Sequence, residues 1–185
     1  IRDLVRSRGL GDVYKRQYFN RALVYAKQGK HKEALDDFTR ALKILPANYT
    51  YYNRGNTLYR MGKYMLAIYD YTDAIKLDPA FAYAYNNRSF VYMKLLKFDK
   101  ALSDANKAIE IDPKVPLFYI NRGALYSYIG QVDKAVSDCE KAIELDPEFA
   151  SAYYNLACIY SIKKNHETAI LCLAKAIEKG YDDVN

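Results

Sequence analysis

Residues 116–149 read PLFYINRGALYSYIGQVDKAVSDCEKAIELDPEF. Alone, this stretch is a helix, a tight turn at Gly130, and a second helix that stops near Asp146-Pro147. It is also one copy of a unit that recurs along nearly the whole chain. Five repeats superpose, over 15–47, 48–81, 82–115, 116–149 and 150–183, the first of 33 residues and the others of 34.

The repeat positions state their own packing rule. The twentieth residue is always alanine (Ala34, Ala67, Ala101, Ala135, Ala169), and so is the twenty-seventh (Ala41, Ala74, Ala108, Ala142, Ala176). The eighth is always small: Ala22, Gly55, Ser89, Gly123, Ala157. Small residues at fixed places let two helices approach, and larger aliphatics fill the space between them. Proline at position thirty-two (Pro46, Pro79, Pro113, Pro147) ends the second helix. One hairpin cannot bury its own apolar face, so neighbours must stack.

This pattern resembles the tetratricopeptide repeat (TPR) family. The residues that carry the resemblance are Tyr119, Gly123, Tyr126, Ala135, Ala142 and Pro147, with first-helix aromatics at Tyr18, Tyr51, Tyr85, Tyr119 and Tyr153. Position seven departs from the family's leucine: it is arginine four times, in an Asn-Arg-Gly flavour of the repeat. The resemblance implies an all-α fold, an alpha-alpha superhelix built as a right-handed solenoid of antiparallel helix pairs. It also implies a non-catalytic protein–protein interaction scaffold. The other function kept open is a structural or oligomerisation module of a larger protein.

Residues 1–14 lie outside the repeats, and the TPR domain is read as 15–185. The run GLGDVYKRQ resembles translated sequencing-adaptor read-through at the end of a metagenomic gene fragment, so the first 17 residues or so are expected to be non-native. The expected helix pairs are 16–28 with 31–45, 49–61 with 64–77, 82–95 with 98–111, 116–129 with 132–145, and 150–163 with 166–179. Leu96 stands where other repeats have a turn glycine, so that turn is expected to use helical or near-helical dihedrals. The fifth repeat has Tyr181 in place of proline and carries Ile170, Leu171, Cys172 and Leu173 in a row. Such a helix wants cover on more than one side. More repeats, or self-association through this uncapped repeat, are the expectations.

The chain of 185 residues carries a net charge of +6 without a basic stripe, which argues against a nucleic-acid partner. No apolar run is long enough to span a membrane, and no membrane contact is expected. Cys139, Cys158 and Cys172 are odd in number and form no ligand cluster. They read as buried, reduced thiols, which suits a cytoplasmic location. His31 and His166 share position seventeen, where other repeats have Tyr64, Phe98 or Val132, so they read as packing residues. No metal, cofactor or catalytic residue is expected.

The candidate site is a ladder. Position six is asparagine in every repeat: Asn20, Asn53, Asn87, Asn121, Asn155. A helix interior does not favour asparagine, and a core does not ask for an amide five times. The resemblance places this position on the groove-facing side of helix A, the first helix of each repeat (helix B being the second), where amides offering both donor and acceptor can grip an extended peptide backbone. Tying neighbouring helices together is the other reading of the same amides. Tyr52, Tyr59, Arg60, Lys94 and Tyr154 are expected beside the ladder, so the ligand is read as an extended, partly acidic protein segment with some apolar side chains. A carboxylate clamp of the kind that holds chaperone C-termini is not expected: of Phe19, Leu23, Asn53, Tyr83 and Asn87, only Asn53 fits it.

Arginine at position seven (Arg21, Arg54, Arg88, Arg122) is matched by aspartate at position twenty-three (Asp37, Asp70, Asp104, Asp138). Both change together in the fifth repeat, to Leu156 and Cys172. Structural ion pairs that fix register are the reading.

Overall fold

A computed structural model describes residues 2–181. Among them the chain forms ten α-helices and no strand: α1 Arg2–Lys27, α2 His31–Ile44, α3 Asn48–Arg60, α4 Tyr64–Leu77, α5 Ala82–Lys94, α6 Phe98–Ile111, α7 Pro116–Tyr128, α8 Val132–Leu145, α9 Ala150–Ile162 and α10 His166–Glu178. Nine of these match the expected spans to within a residue at each end. The tenth, α1, begins well before Lys15 and runs through the stretch read as a non-repeat leader. A helix already nucleated by the first repeat adds residues at its N-terminus at little cost. Val13 and Tyr14 on that extension are exposed.

The chain divides into two compact units, one ending at Val91 and one starting at Tyr92. In the first, α1 pairs with α2 and α3 with α4, and α2 and α1 both touch α3. In the second, α7 pairs with α8 and α9 with α10, while α9 packs on both helices of the fourth repeat.

Why the hairpins close is visible in the alanines. Both alanines of helix B are fully buried in the first four repeats, as are the small residues at position eight or nearly so. A Cβ built on Gly55 would stand 2.9 Å from the buried ring of Tyr71, and one on Gly123 would stand 3.3 Å from the Ala135 carbonyl oxygen. Helix A thus meets helix B at a distance only a small residue permits.

Each hairpin turn ends helix A in the same way. At Gly130 (φ 80°), the Gln131 amide reaches back to the Tyr126 carbonyl and the Gly130 amide to that of Ser127. This paired bonding satisfies carbonyls that the helix end would otherwise leave unmet. Leu96 was expected to avoid it with helical dihedrals and does not: its φ is 56°, and Lys97 and Leu96 donate to Tyr92 and Met93 in the same register. Lys164, at φ 60°, repeats the geometry. The hydrogen-bond demand of the helix end overrides the roughly 1–2 kcal/mol that a side chain costs in the left-handed region. Helices B of repeats two to four stop differently. Asp78, Asp112 and Asp146 leave the helix extended or near it, and their Oδ1 atoms accept the amides of Ala80, Lys114 and Glu148 across the intervening proline.

Candidate functional site

The helix A face of the first compact unit holds a cleft of about 220 Å³ between α1 and α3. Leu23, Ala26 and Lys27 of α1 line one side, Asn53, Asn56, Thr57 and Arg60 of α3 the other, with Phe38 of α2 among the lining residues. Helical spacing brings these together, because positions six, nine, ten and thirteen share one face. Two exposed cations and two amides line it beside Leu23 and Ala26.

Five asparagines share a repeat position but not a role. Asn20 is exposed on α1, and Asn121 is half-buried on α7. Asn53 donates Nδ2 to the Tyr49 carbonyl of its own helix (2.7 Å), and Asn155 does the same to Ser151 (2.8 Å). Asn87 instead donates Nδ2 to Tyr52 Oη (3.0 Å) and Asn56 Oδ1 (2.8 Å), so α5 is tied to α3. Tyr71 of α4 donates its hydroxyl to the same Asn56 oxygen (2.7 Å), and Asn86 donates to Asn87 Oδ1 (3.0 Å). Asn87 therefore performs the helix-tying role, while Asn53 stands in the cleft with its Nδ2 held by its own helix.

Position five touches the ladder, through Tyr52 and Asn86 at Asn87, and also turns its rings into the hairpin interior. Tyr52 packs on Tyr71 and Phe81 with ring centroids 6.0 and 5.0 Å apart, as Phe19 does on Phe38. Burial raises the phenol pKa of Tyr52 above its ordinary value, against the hydrogen bonds of Asn56 and Asn87. Tyr154 stacks on Tyr181 at 4.2 Å and lines an opening between α9 and α10 rather than a ladder site. Tyr59 is half-buried between Tyr64 and Phe90. Arg60 lines the cleft, and Lys94 is exposed at the end of α5. Asn56, at position nine, was not singled out from the sequence. Nothing in its type separates it from the ladder; only its place one helical turn further along puts it in the cleft and the network together.

The arginines do more than pair. Arg54 grips Asp70 through Nε and Nη2 (2.8 and 2.7 Å), Arg122 grips Asp138 (2.9 and 2.7 Å), and Arg21 grips Asp37 (2.6 and 2.8 Å). Their remaining Nη1 reaches position twenty-five of the preceding repeat: Arg54 to Thr39 (3.1 Å), Arg88 to Thr72 (2.9 Å) and Arg122 to Asn106 (2.8 Å). One guanidinium thus fastens its own hairpin and the repeat before it. Asp104 is buried. Burial pushes the Asp70 carboxyl above the usual carboxylate range, while the bond to Asp70 raises Arg54 further.

Cys139 and Cys172 are buried, whereas Cys158, expected buried, is exposed because position nine of α9 lies on an uncovered face. Burial pushes the Cys139 thiol up to about 12. His31 is half-buried with its Nδ1 enclosed and unpartnered, while His166 is exposed, unlike the packing residue expected.

These helix pairs match models of one family. A model described as tetratricopeptide repeat matches residues 16–48, 49–81 and 116–149, more than half of the chain, and sister models of the same description match 82–115 and 139–171. The chain belongs to the tetratricopeptide repeat family. No curated protein matches it. Among solved structures, TTC0263 from Thermus thermophilus superposes with a TM-score of 0.80 at 22% identity, covering 92% of this chain and 93% of that one. MamA from Desulfovibrio magneticus RS-1 gives 0.75 at 22%, covering 93% and 98%. YrrB, described as a TPR protein with an unusual peptide-binding site, gives 0.65 at 26%, covering 90% and 86%. The fold is therefore that of the all-α TPR superhelical proteins, which serve as protein-interaction scaffolds and bind protein or peptide partners. Among the described residues no helix is long and apolar enough to cross a membrane.

Proposed function

We propose that this TPR chain is a non-catalytic scaffold that captures an extended, partly acidic peptide along its helix A face. The observation that carries this reading is the α1–α3 cleft, where Lys27 and Arg60 stand beside the amides of Asn53 and Asn56. Two exposed cations favour carboxylates on the ligand, amides match a peptide backbone, and Leu23 and Ala26 accept an apolar side chain. The peptide-binding site attributed to YrrB, a structure of the same fold, supports the reading. Three free cysteines suit a reducing, cytoplasmic setting.

The test is equilibrium binding, by fluorescence anisotropy, of two labelled peptide pools that share leucine and phenylalanine but differ in Asp/Glu or Lys/Arg. The acidic pool is expected to bind more tightly at low salt. Lys27→Glu with Arg60→Glu is expected to weaken it by about tenfold or more, two charge contacts being worth on the order of 1.4 kcal/mol together. Tighter binding of the basic pool would overturn the reading.

The second reading, a structural module of a larger protein, is favoured by Asn87, whose amide already joins α5 to α3.

A further inference from the structure

Helix B shows solvent the same three positions in each of the first four repeats, and the second repeat fills them differently. Positions eighteen, nineteen and twenty-two are Lys32, Glu33 and Asp36 in the first repeat, Asp99, Lys100 and Ser103 in the third, and Asp133, Lys134 and Ser137 in the fourth, all exposed. In the second they are Met65, Leu66 and Tyr69, which are 49%, 50% and 63% exposed. The fourth repeat is packed from both sides with polar residues at these positions, so repeat stacking does not call for apolar ones. Contiguous exposed apolar side chains mark an interaction surface.

The patch borders an opening of about 320 Å³, lined by Leu35 of α2, Leu58 of α3, and Leu66, Tyr69 and Asp73 of α4. Two other charged groups there, Arg54 and Asp70, are spent on each other, and Arg54 also on Thr39. Asp73 is available. Its side chain is 41% exposed, and its bond from Lys76 Nζ (2.9 Å) joins two solvated side chains of one helix, a pair of little worth that a better donor displaces. The opening is therefore apolar with an accessible carboxylate at its edge.

The chain shows three times what fits a tyrosine beside an aspartate. Arg21, Arg54 and Arg122 lie over the rings of Tyr18, Tyr51 and Tyr119, at 5.6, 5.6 and 5.8 Å from the centroids, while the same guanidiniums grip Asp37, Asp70 and Asp138. Tyr69 and Asp73, one turn apart on α4, present the same two groups to solvent. The size of the patch limits the partner. At about 200 Å² for a whole large side chain, three that are half to two-thirds exposed offer roughly 300 Å², well short of the ~800 Å² that each side of a standard interface buries. The face is sized for a segment, not for a second copy.

We propose that the outer face of α4 is a second binding site, which takes a short segment of another protein carrying an arginine flanked by aliphatic side chains. The guanidinium stacks on Tyr69 and pairs with Asp73, and an aliphatic side chain enters beside Leu35 and Leu66 above Leu58. Its charge preference is opposite to that of the helix A face, and it does not rest on that reading.

The probe is a labelled pool of short peptides with a central arginine flanked by leucines, the remaining positions being alanine, serine or glycine. It is titrated into the full chain by fluorescence anisotropy. Saturable binding is expected, weaker than that of the acidic pool because the contact is small. Citrulline in place of the arginine, which keeps the shape and removes the charge, is expected to weaken it by about tenfold or more. Tyr69→Ser with Asp73→Asn, at positions open to solvent and so compatible with folding, is expected to abolish saturation while the acidic pool binds that variant as it binds the natural chain. Absence of saturable binding to protein with native circular dichroism would overturn the proposal, as would binding indifferent to citrulline or to the Tyr69/Asp73 variant. So would concentration-dependent dimerisation of the chain alone that the same variant abolishes, which would assign the face to a second copy.

Discussion

The fourth and fifth repeats keep the same asparagine at position six and the same alanines at twenty and twenty-seven, but differ at positions seven and twenty-three and in what surrounds them. In the fourth, Arg122 and Asp138 form a two-pronged pair that is mostly buried, and Arg122 also holds Asn106 of the repeat before. In the fifth, Leu156 and Cys172 occupy those positions and are buried as ordinary apolar residues. The same backbone therefore tolerates an ionic and an apolar solution at one site. What it does not tolerate is half of either, because a lone buried charge has no partner and no water.

Asp138→Ala, which strands Arg122, is expected to cost roughly 3–5 kcal/mol of unfolding free energy. Arg122→Leu with Asp138→Cys imports the fifth repeat's solution and is expected to recover most of that loss. Urea melts of the two variants check both values, and equal losses would show that the pair is more than a register device.

A somewhat smaller effect concerns cover. Ile120→Ala, at a buried position of the fourth repeat, is expected to destabilise by about 2–5 kcal/mol, as core truncations do. Ile170→Ala in the fifth is expected to stay within about 0.5 kcal/mol. Comparable losses in the same denaturant series would mean that α10's outer face is covered in solution.

The turns offer a gain. Leu96 and Lys164 hold the left-handed geometry that glycine adopts at Gly130 without penalty. Leu96→Gly is expected to raise stability by about 1 kcal/mol, as the relief of a side chain at positive φ. Thermal unfolding reads the sign directly, and a lower melting temperature would refute the strain.

The smallest perturbation is chemical. Cys158 is exposed, whereas burial pushes the Cys139 thiol up to about 12 and keeps it protonated and enclosed near neutral pH. A disulfide reagent is expected to label one thiol quickly in the native chain and all three in denaturant. Rapid labelling of Cys139 would show that the fourth repeat opens readily.

Most of the fold was legible because the repeat position alone decides it: alanines at twenty and twenty-seven, a small residue at eight, and Asp-Pro at three helix ends. The Arg21–Asp37, Arg54–Asp70 and Arg122–Asp138 partners were legible from the joint loss of both residue types in the fifth repeat. Legibility failed where side-chain direction matters. Nothing in five identical asparagines tells that Asn87 reaches across to Tyr52 while Asn53 bonds back to Tyr49. Position five read as groove; Tyr52 does meet the ladder amide of Asn87, but its ring and that of Phe19 also turn towards helix B, where Tyr71 and Phe38 meet them. The second partner of Arg54, Arg88 and Arg122 lies in the preceding repeat, two residues past its aspartate position, and only the fork of the guanidinium in space reveals it. Leu96 misled because residue type argued for helical dihedrals, while the hydrogen bonds of the helix end required the left-handed ones.

The most direct measurement is hydrogen–deuterium exchange of the full chain with and without a saturating acidic peptide pool. Slowed exchange is expected to be confined to α1 and α3, centred on the turns that carry Lys27 and Asn53 to Arg60. Protection centred on α10, or none from a peptide shown to bind, would contradict a peptide site on the helix A face.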